Sequence, residues 1–155
     1  RALSLRSGRL IARPYLPGLP LAPAQLRGTP TDEDGAVVAQ LVDSRSWRLA
    51  FDASYEGALS VRIGSESGLE ITLEEGRLTV DLTGTRYPHG GRRVVTLDAG
   101  EACRVEILHD RSITEIYLGD GSRVFTTRTF LRGEGAGVAL EGGASVTDIR
   151  AVRAD

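Results

Sequence analysis

Cys103-Arg104-Val105-Glu106-Ile107-Leu108-His109-Asp110-Arg111-Ser112-Ile113-Thr114-Glu115-Ile116-Tyr117-Leu118-Gly119-Asp120-Gly121-Ser122-Arg123-Val124-Phe125-Thr126-Thr127-Arg128-Thr129-Phe130 reads as three consecutive strands. Cys103, Val105 and Ile107 alternate with Arg104 and Glu106, and Ile113 to Leu118 is rich in β-branched and aromatic residues. Asp120-Gly121 is a strong hairpin signal, because both central positions of a type I′ turn need positive φ. Taken as a two-residue loop it sets a register: Gly119 faces Ser122, Leu118 faces Arg123, Ile116 faces Phe125, Glu115 faces Thr126 and Ile113 faces Arg128. Glu115 and Arg128 then lie on one sheet face as diagonal neighbours about 7–8 Å apart, close enough for a structural ion pair.

Outward from this stretch, short alternating runs continue. Strands are expected at Ala36–Val42, Trp47–Asp52, Ala58–Ile63, Leu69–Glu74, Arg77–Leu82, Arg92–Leu97, Gly137–Glu141 and Ser145–Val152, parted by glycine-bearing turns. Ile71, Leu73, Leu78, Val80, Val95 and Leu97 supply inward faces, and Trp47, Phe51 and Phe125 are core or interface candidates. No helical periodicity of useful length competes. The fold class is all-β: an antiparallel two-sheet β-sandwich of the concanavalin-like or jelly-roll type.

Before it, Leu3-Ser4-Leu5 and Arg9 to Ala12 flank Ser7-Gly8 as a small hairpin or paired edge segment. Pro14 to Pro30 holds five of the six prolines and reads as irregular, with one short helical turn around Ala22 to Leu26. Four leucines (Leu16, Leu19, Leu21, Leu26) suit a strap pinned on the sandwich rather than a free tether. The domain reading is therefore a strap over 1–30 and a sandwich over 31–155. The acidic run Asp32-Glu33-Asp34 lacks the spacing of a calcium loop and reads as a solvated turn.

At 155 residues, 41% apolar and 26% charged, the chain has the length and composition of one soluble globular domain. A formal net charge of -2 gives no reason to expect nucleic acid or an anionic membrane as partner. No apolar run reaches the ~18 residues of a membrane span. All 19 basic residues are arginine, and Lys, Asn and Met are absent, a bias of high-GC bacterial coding. Without Met, Arg1 is not expected to be a native start, so the chain is read as a piece of a longer protein. Location stays open, with cytoplasm favoured over secretion. The single Cys103 forms no internal disulfide and is expected to be a buried, inert thiol.

Val105 to Tyr117, the Asp-Gly turn and Val124-Phe125-Thr126-Thr127-Arg128 together resemble the signature of the C-terminal β-sandwich of glycoside hydrolase family 32. The family pattern there is hydrophobic, Asp-Arg-Ser, two hydrophobics, Glu-hydrophobic-Phe, a glycine turn, then Ser/Thr-Arg. Here Tyr117 stands for the usual Phe and Thr114 for a usual aliphatic. Gly8-Arg9-Leu10 with Arg13-Pro14 is similar to the segment joining that family's catalytic propeller to its sandwich. Gly76 to Asp81 is similar to a mid-sandwich strand, with Asp81-Leu82-Thr83 where Asp-Arg-Ser is usual. The resemblance implies structural roles for Asp110, Ser112, Glu115, Tyr117 and Arg128, and as partner an N-terminal β-propeller catalytic domain. It further implies a parent enzyme that releases terminal β-fructofuranosyl groups from sucrose or fructans through a covalent intermediate.

The resemblance places catalysis elsewhere. Retaining glycosidases need two carboxyl groups about 5–5.5 Å apart, and the family carries them in propeller motifs that have no counterpart here. No catalytic residue, cofactor or metal site is assigned. Cys103 and His109 share strand parity but lie about 20 Å apart on a straight strand, too far for one metal. Asp110 and Ser112 suit capping of the Asp-Arg-Ser turn. Other readings remain: a lectin-like module using Trp47, Tyr55 and Tyr87, with Tyr15, to contact a fructoside, or an assembly module forming a homo-oligomer. Only 5% aromatic residues weighs against the first.

Overall fold

A computed structural model of the chain describes residues 1–16, 21–23, 26–27, 39–41, 45–54, 57–64, 67–74, 76–97, 103–132, 138–142, 144 and 146–154. The strands, in chain order, are β1 (Ala2–Arg6), β2 (Arg9–Arg13), β3 (Leu21–Pro23), β4 (Leu26–Arg27), β5 (Ala39–Leu41), β6 (Ser46–Ala53), β7 (Leu59–Ile63) and β8 (Leu69–Glu74). They continue with β9 (Arg77–Asp81), β10 (Arg92–Thr96), β11 (Cys103–Asp110), β12 (Ile113–Leu118), β13 (Arg123–Arg128), β14 (Val138–Gly142) and β15 (Val146–Ala154). One 3-10 turn, Pro88–Gly90, separates β9 from β10.

These strands form two antiparallel sheets and a separate ribbon. One sheet runs β10-β9-β8-β7-β14-β5-β4, the other β13-β12-β11-β6-β15-β3, and β1-β2 stands apart. Period-2 alternation explains how the two larger sheets meet. From the first, Leu59, Val61, Ile63, Ile71, Leu78 and Leu140 point inward. From the second, Leu49, Phe51, Val105, Ile107 and Ile116 do the same, and all belong to one buried cluster. Phe125, Val95 and Leu131 pack on its margin. The chain is a two-sheet β-sandwich.

The hairpin register holds, but the turn is built differently from expectation. Leu118 faces Arg123, Ile116 faces Phe125, Glu115 faces Thr126 and Ile113 faces Arg128. The Gly121 N–H donates to the Leu118 carbonyl at 3.0 Å, and positive φ falls on Gly119 (58°) and Gly121 (94°), not on Asp120. Asp120 instead accepts the Ser122 backbone N–H at 2.9 Å. A carboxylate closing its own turn, with a glycine on each side, removes the need for a left-handed Asp.

The proline-rich stretch also differs from expectation. In place of a helical turn around Ala22 to Leu26 the chain forms β3 and β4, which close sheet edges by pairing with β15 and β5. Pro23 is tolerated there because an edge strand has one side without ladder bonds. The acidic turn at Thr31–Gly35 lies outside the described residues.

The central strands carry the core. Ile107, fully buried between Ile116 of β12 and Leu49 of β6, is expected to cost about 2–5 kcal/mol when changed to Ala, as large-to-small core substitutions do. Leu5→Ala, at a residue 74% exposed, should change stability by less than about 0.5 kcal/mol. Urea midpoints of the two variants check the contrast.

Candidate functional site

The face of the six-stranded sheet that points away from the core is charged. Alternation turns Arg48, Ala50 and Asp52 of β6, Arg104 and Glu106 of β11, and Glu115 and Tyr117 of β12 to that side. Arg48 Nε donates to the Glu106 carboxylate. Arg104 Nη1 reaches Asp52 Oδ2 at 3.1 Å and Asp148 Oδ2 at 2.8 Å, and Arg150 Nε donates to Asp148 Oδ1 at 2.9 Å. Asp148 sits at the irregularity where β15 slips against β6 between Thr147 and Arg150, with φ at 49°. Such a bulge re-aims one side chain out of the alternation. Burial works against the Arg104 charge, but the Asp148 and Asp52 carboxylates more than offset it and raise its pKa.

Glu115 holds a second cluster. Arg1 Nε and Nη2 approach its Oε1 at 2.9 and 2.7 Å. The Tyr117 hydroxyl donates to Oε2 at 2.6 Å and Thr126 Oγ1 lies 3.4 Å from Oε1. Burial pushes the Glu115 carboxyl up, yet the Tyr117 hydroxyl and the Arg1 guanidinium together hold it below the usual carboxylate range. Burial and the adjacent carboxylate push the Tyr117 phenol well up. The expected Glu115–Arg128 pair is not how this carboxylate is satisfied. Arg1 takes that role, arriving from a different part of the chain, and Arg128 is exposed on the outermost strand.

Arg1 belongs to the β1-β2 ribbon, which is fastened a second time. The Ala12 N–H donates to the Gly121 carbonyl at 2.9 Å. A Cβ on Gly121 would lie 2.2 Å from the Ala12 carbonyl oxygen, so the turn at the end of β12 accepts the ribbon only as glycine. Ile11 is buried on the ribbon, whereas Leu3, Leu5 and Leu10 are exposed. Opposite partners Leu5 and Leu10 share one ribbon face with Leu3. Between the ribbon's exit and the sheet lies a cleft of about 450 Å³, lined by Ala12, Arg13, Pro14 and Leu16 on one side and by Arg48, Arg104, Glu106, Tyr117 and Gly119 to Gly121 on the other.

The other residues singled out in the sequence scatter. Asp110 accepts a hydrogen bond from Ser46 Oγ at 2.7 Å. The left-handed turn residue after it is Arg111, φ 52°. The Ser112 carbonyl accepts the Thr129 N–H at 2.7 Å. Trp47 is buried and stacks on His109, ring centroids 5.3 Å apart, so it offers no exposed sugar platform. Tyr87 is half-exposed, edge-on to Phe130 with the Arg86 guanidinium over its ring. Tyr15 is exposed; Tyr55 lies outside the described residues. Cys103 is buried in the core. Among the described residues no cluster of three or more His, Cys, Asp or Glu side chains has metal-binding geometry. Sequence reasoning missed Arg1, Arg48 and Asp148; outward parity on β6 was the available signal for Arg48.

Residues 27–153 match the family described as glycosyl hydrolases family 32 C terminal. The chain belongs to that family. No curated protein matches it in sequence. Among solved structures, this family 32 C-terminal domain is similar to sucrose-6-phosphate hydrolase from Lactobacillus gasseri: 20% identity, TM-score 0.73, covering 99% of this chain and 32% of that one. It is similar to exo-inulinase from Aspergillus awamori at 16% identity and TM-score 0.75, covering 99% and 34%. The GH32 β-fructofuranosidase of Bombyx mori matches at 19% identity and TM-score 0.67, covering 98% and 31%. The family 32 domain thus spans about a third of the length of these structures, and at such identities the likeness concerns the fold.

Two outcomes follow from the geometry. Glu115→Gln should loosen Arg1 and move the Tyr117 phenol back towards an ordinary tyrosine pKa, read by ultraviolet titration, with faster amide exchange across the ribbon. The second concerns His109, buried with its Nδ1 2.9 Å from Thr114 Oγ1. Burial lowers its pKa to about 4, outweighing Asp110 and the Arg111 backbone, which favour the charged form. The unfolded chain, near pH 6.5, takes the proton first. Stability is therefore full above that pH, falls as pH drops through it, and stops falling below about 4. Between pH 7 and pH 5 the loss should be about 2 kcal/mol, and His109→Gln should remove that slope. Asp81, held at about 2 by Thr83 and Arg92, and Glu115 act at lower pH. Urea denaturation at the two pH values reads it.

Proposed function

We propose that this chain is the non-catalytic accessory domain of a β-fructosidase-like glycoside hydrolase, working beside an N-terminal β-propeller that performs the chemistry. The observation that carries this reading is the family membership of residues 27–153 in a domain defined as C-terminal. It is supported by similarity to enzymes named for sucrose-6-phosphate, inulin and β-fructofuranoside hydrolysis, each about three times as long. The carboxylates of the charged face are engaged: Glu106 with Arg48, Glu115 with Arg1, Asp52 and Asp148 with Arg104. Engaged in ion pairs in this way, such groups do structural work. The parent's reaction in this reading is hydrolysis of a terminal β-fructofuranosyl bond in sucrose or a fructan.

What the domain contributes is a fixed docking platform. Leu3, Leu5 and Leu10, each at least 60% exposed, form an apolar strip on a ribbon clamped at Glu115 and Gly121. Such a strip suits burial against a neighbouring domain. Left bare, the same strip favours the second reading, an assembly module. A lectin-like reading based on the aromatic residues is weaker, because Trp47 is buried.

The purified chain is expected to release no reducing sugar from sucrose or inulin. Sedimentation at rising concentration should show weak self-association that Leu5→Asp abolishes. Fructose release by the chain itself would overturn the accessory-domain reading; unchanged association in the variant would remove the strip from it.

A further inference from the structure

One end of the sandwich is a rim of connections fastened to one another by backbone hydrogen bonds. The Arg111 N–H in the β11–β12 turn donates to the Arg45 carbonyl just before β6 at 2.8 Å, and the Thr129 N–H after β13 donates to the Ser112 carbonyl at 2.7 Å. The Arg86 N–H, between β9 and β10, donates to the Phe130 carbonyl at 2.8 Å. These links set Arg45, Arg111, Arg128 and Arg86 along one line of loops. The line lies at the opposite end of β12 from the Gly119–Gly121 turn that holds the ribbon. From β6 to β13 it crosses four neighbouring strands, roughly 14 Å at ordinary strand spacing.

All four arginines are exposed. On the outer sheet faces arginines are paired, Arg48 with Glu106, Arg92 with Asp81 and Arg104 with Asp52. No such ion pair engages Arg45, Arg86, Arg111 or Arg128 among the described residues. Asp110, the aspartate of the turn, is occupied by Ser46 Oγ. Four arginines against Asp110 bring these positions to +3, in a chain whose net charge is -2, so the remainder carries -5. Between the charges lie apolar groups. Ile113, directly opposite Arg128, is exposed, and the half-exposed Tyr87 ring meets Phe130 edge-on with the Arg86 guanidinium 5.6 Å from its centroid.

This combination selects a partner. Guanidiniums match carboxylates in bidentate pairs, and Tyr and Arg set among apolar side chains are the residues that anchor protein–protein contacts. A short acidic segment stays within the rim. A nucleic acid strand would run past it onto the negatively charged remainder, which repels it. We propose that this rim docks an acidic polypeptide segment, extended across the strand ends, whose carboxylates are interspersed with apolar side chains. The inference does not rest on the accessory-domain reading: its residues lie apart from the ribbon, and its readout is binding rather than sugar release.

The test is an amide NMR titration of the isotopically labelled chain with a hexapeptide alternating Glu and Leu, its counterpart alternating Gln and Leu, and a short single-stranded DNA. The Glu peptide is expected to give saturable shifts at Arg45, Arg86, Tyr87, Arg111 to Ile113 and Arg128, and the Gln peptide none. Arg111→Gln and Arg128→Gln should each weaken binding about tenfold, the scale of one charge-assisted pair, while Arg13→Gln on the ribbon leaves it unchanged. Arg128 is exposed on an edge strand, so its variant carries the test if Arg111→Gln, at a left-handed position, fails to give a dispersed spectrum. No saturable shift with the Glu peptide, equal binding of the Gln peptide, tighter binding of the DNA, or an equal loss in Arg13→Gln would overturn the proposal.

Discussion

The alternation along β11 is the constraint on which the rest of the structure depends. Cys103, Val105, Ile107 and His109 point into the sandwich, while Arg104 and Glu106 point away, and the strand is hydrogen-bonded on both sides, to β6 and β12. A slip of one residue would drive two charges into a core that contains Leu49, Phe51 and Ile116 at essentially zero exposure. Burying an unpaired charge costs far more than the ladder bonds gained, so one register is strongly specified. Everything on the outer face inherits its position from that choice. Glu106 lies beside Arg48, Arg104 beside Asp52, and Tyr117 across from Glu106 because the inward residues have only one way to pack.

On the outer face, electrostatics replaces apolar packing as the organising force. The ion pairs there are partly exposed, and each contributes little stability by itself. Their effect is positional. Glu115, satisfied by a guanidinium and a phenol at once, ties the open end of a remote ribbon to the sheet through Arg1, and the Gly121 turn holds Ala12 on the adjacent strand at that same end. With both strands of the ribbon held at its base, its direction of exit from the sheet is set. The ribbon can therefore hold an apolar strip outward while the cleft beside it stays open.

The same division fits the accessory role proposed for this domain. Hydrogen bonds from Tyr117 and Arg1 to Glu115, and from Arg104 to Asp148, keep these two carboxyls below the usual carboxylate range. Their geometry suits holding surfaces in register. Membership of the family 32 C-terminal domains and the common fold shared with much longer hydrolases agree with that assignment of labour.

The strands, the two-sheet architecture and the β12–β13 register were legible in the amino-acid order, because period-2 burial and glycine turns are local signals that a chain carries wherever it goes. The signature around Asp110 to Arg128 was equally legible as a resemblance. Three features were decided only by tertiary structure. The turn left Gly121 in the left-handed region where the Ala12 backbone of the distant ribbon packs against it too closely for any side chain. Glu115 took Arg1, far away in sequence, over Arg128 on the neighbouring strand. Trp47, a natural candidate for an exposed platform, went inside to stack on His109. In each case several partners satisfied the local rules equally well, and the energy that separated them came from contacts between residues far apart in the chain, which the amino-acid order does not display.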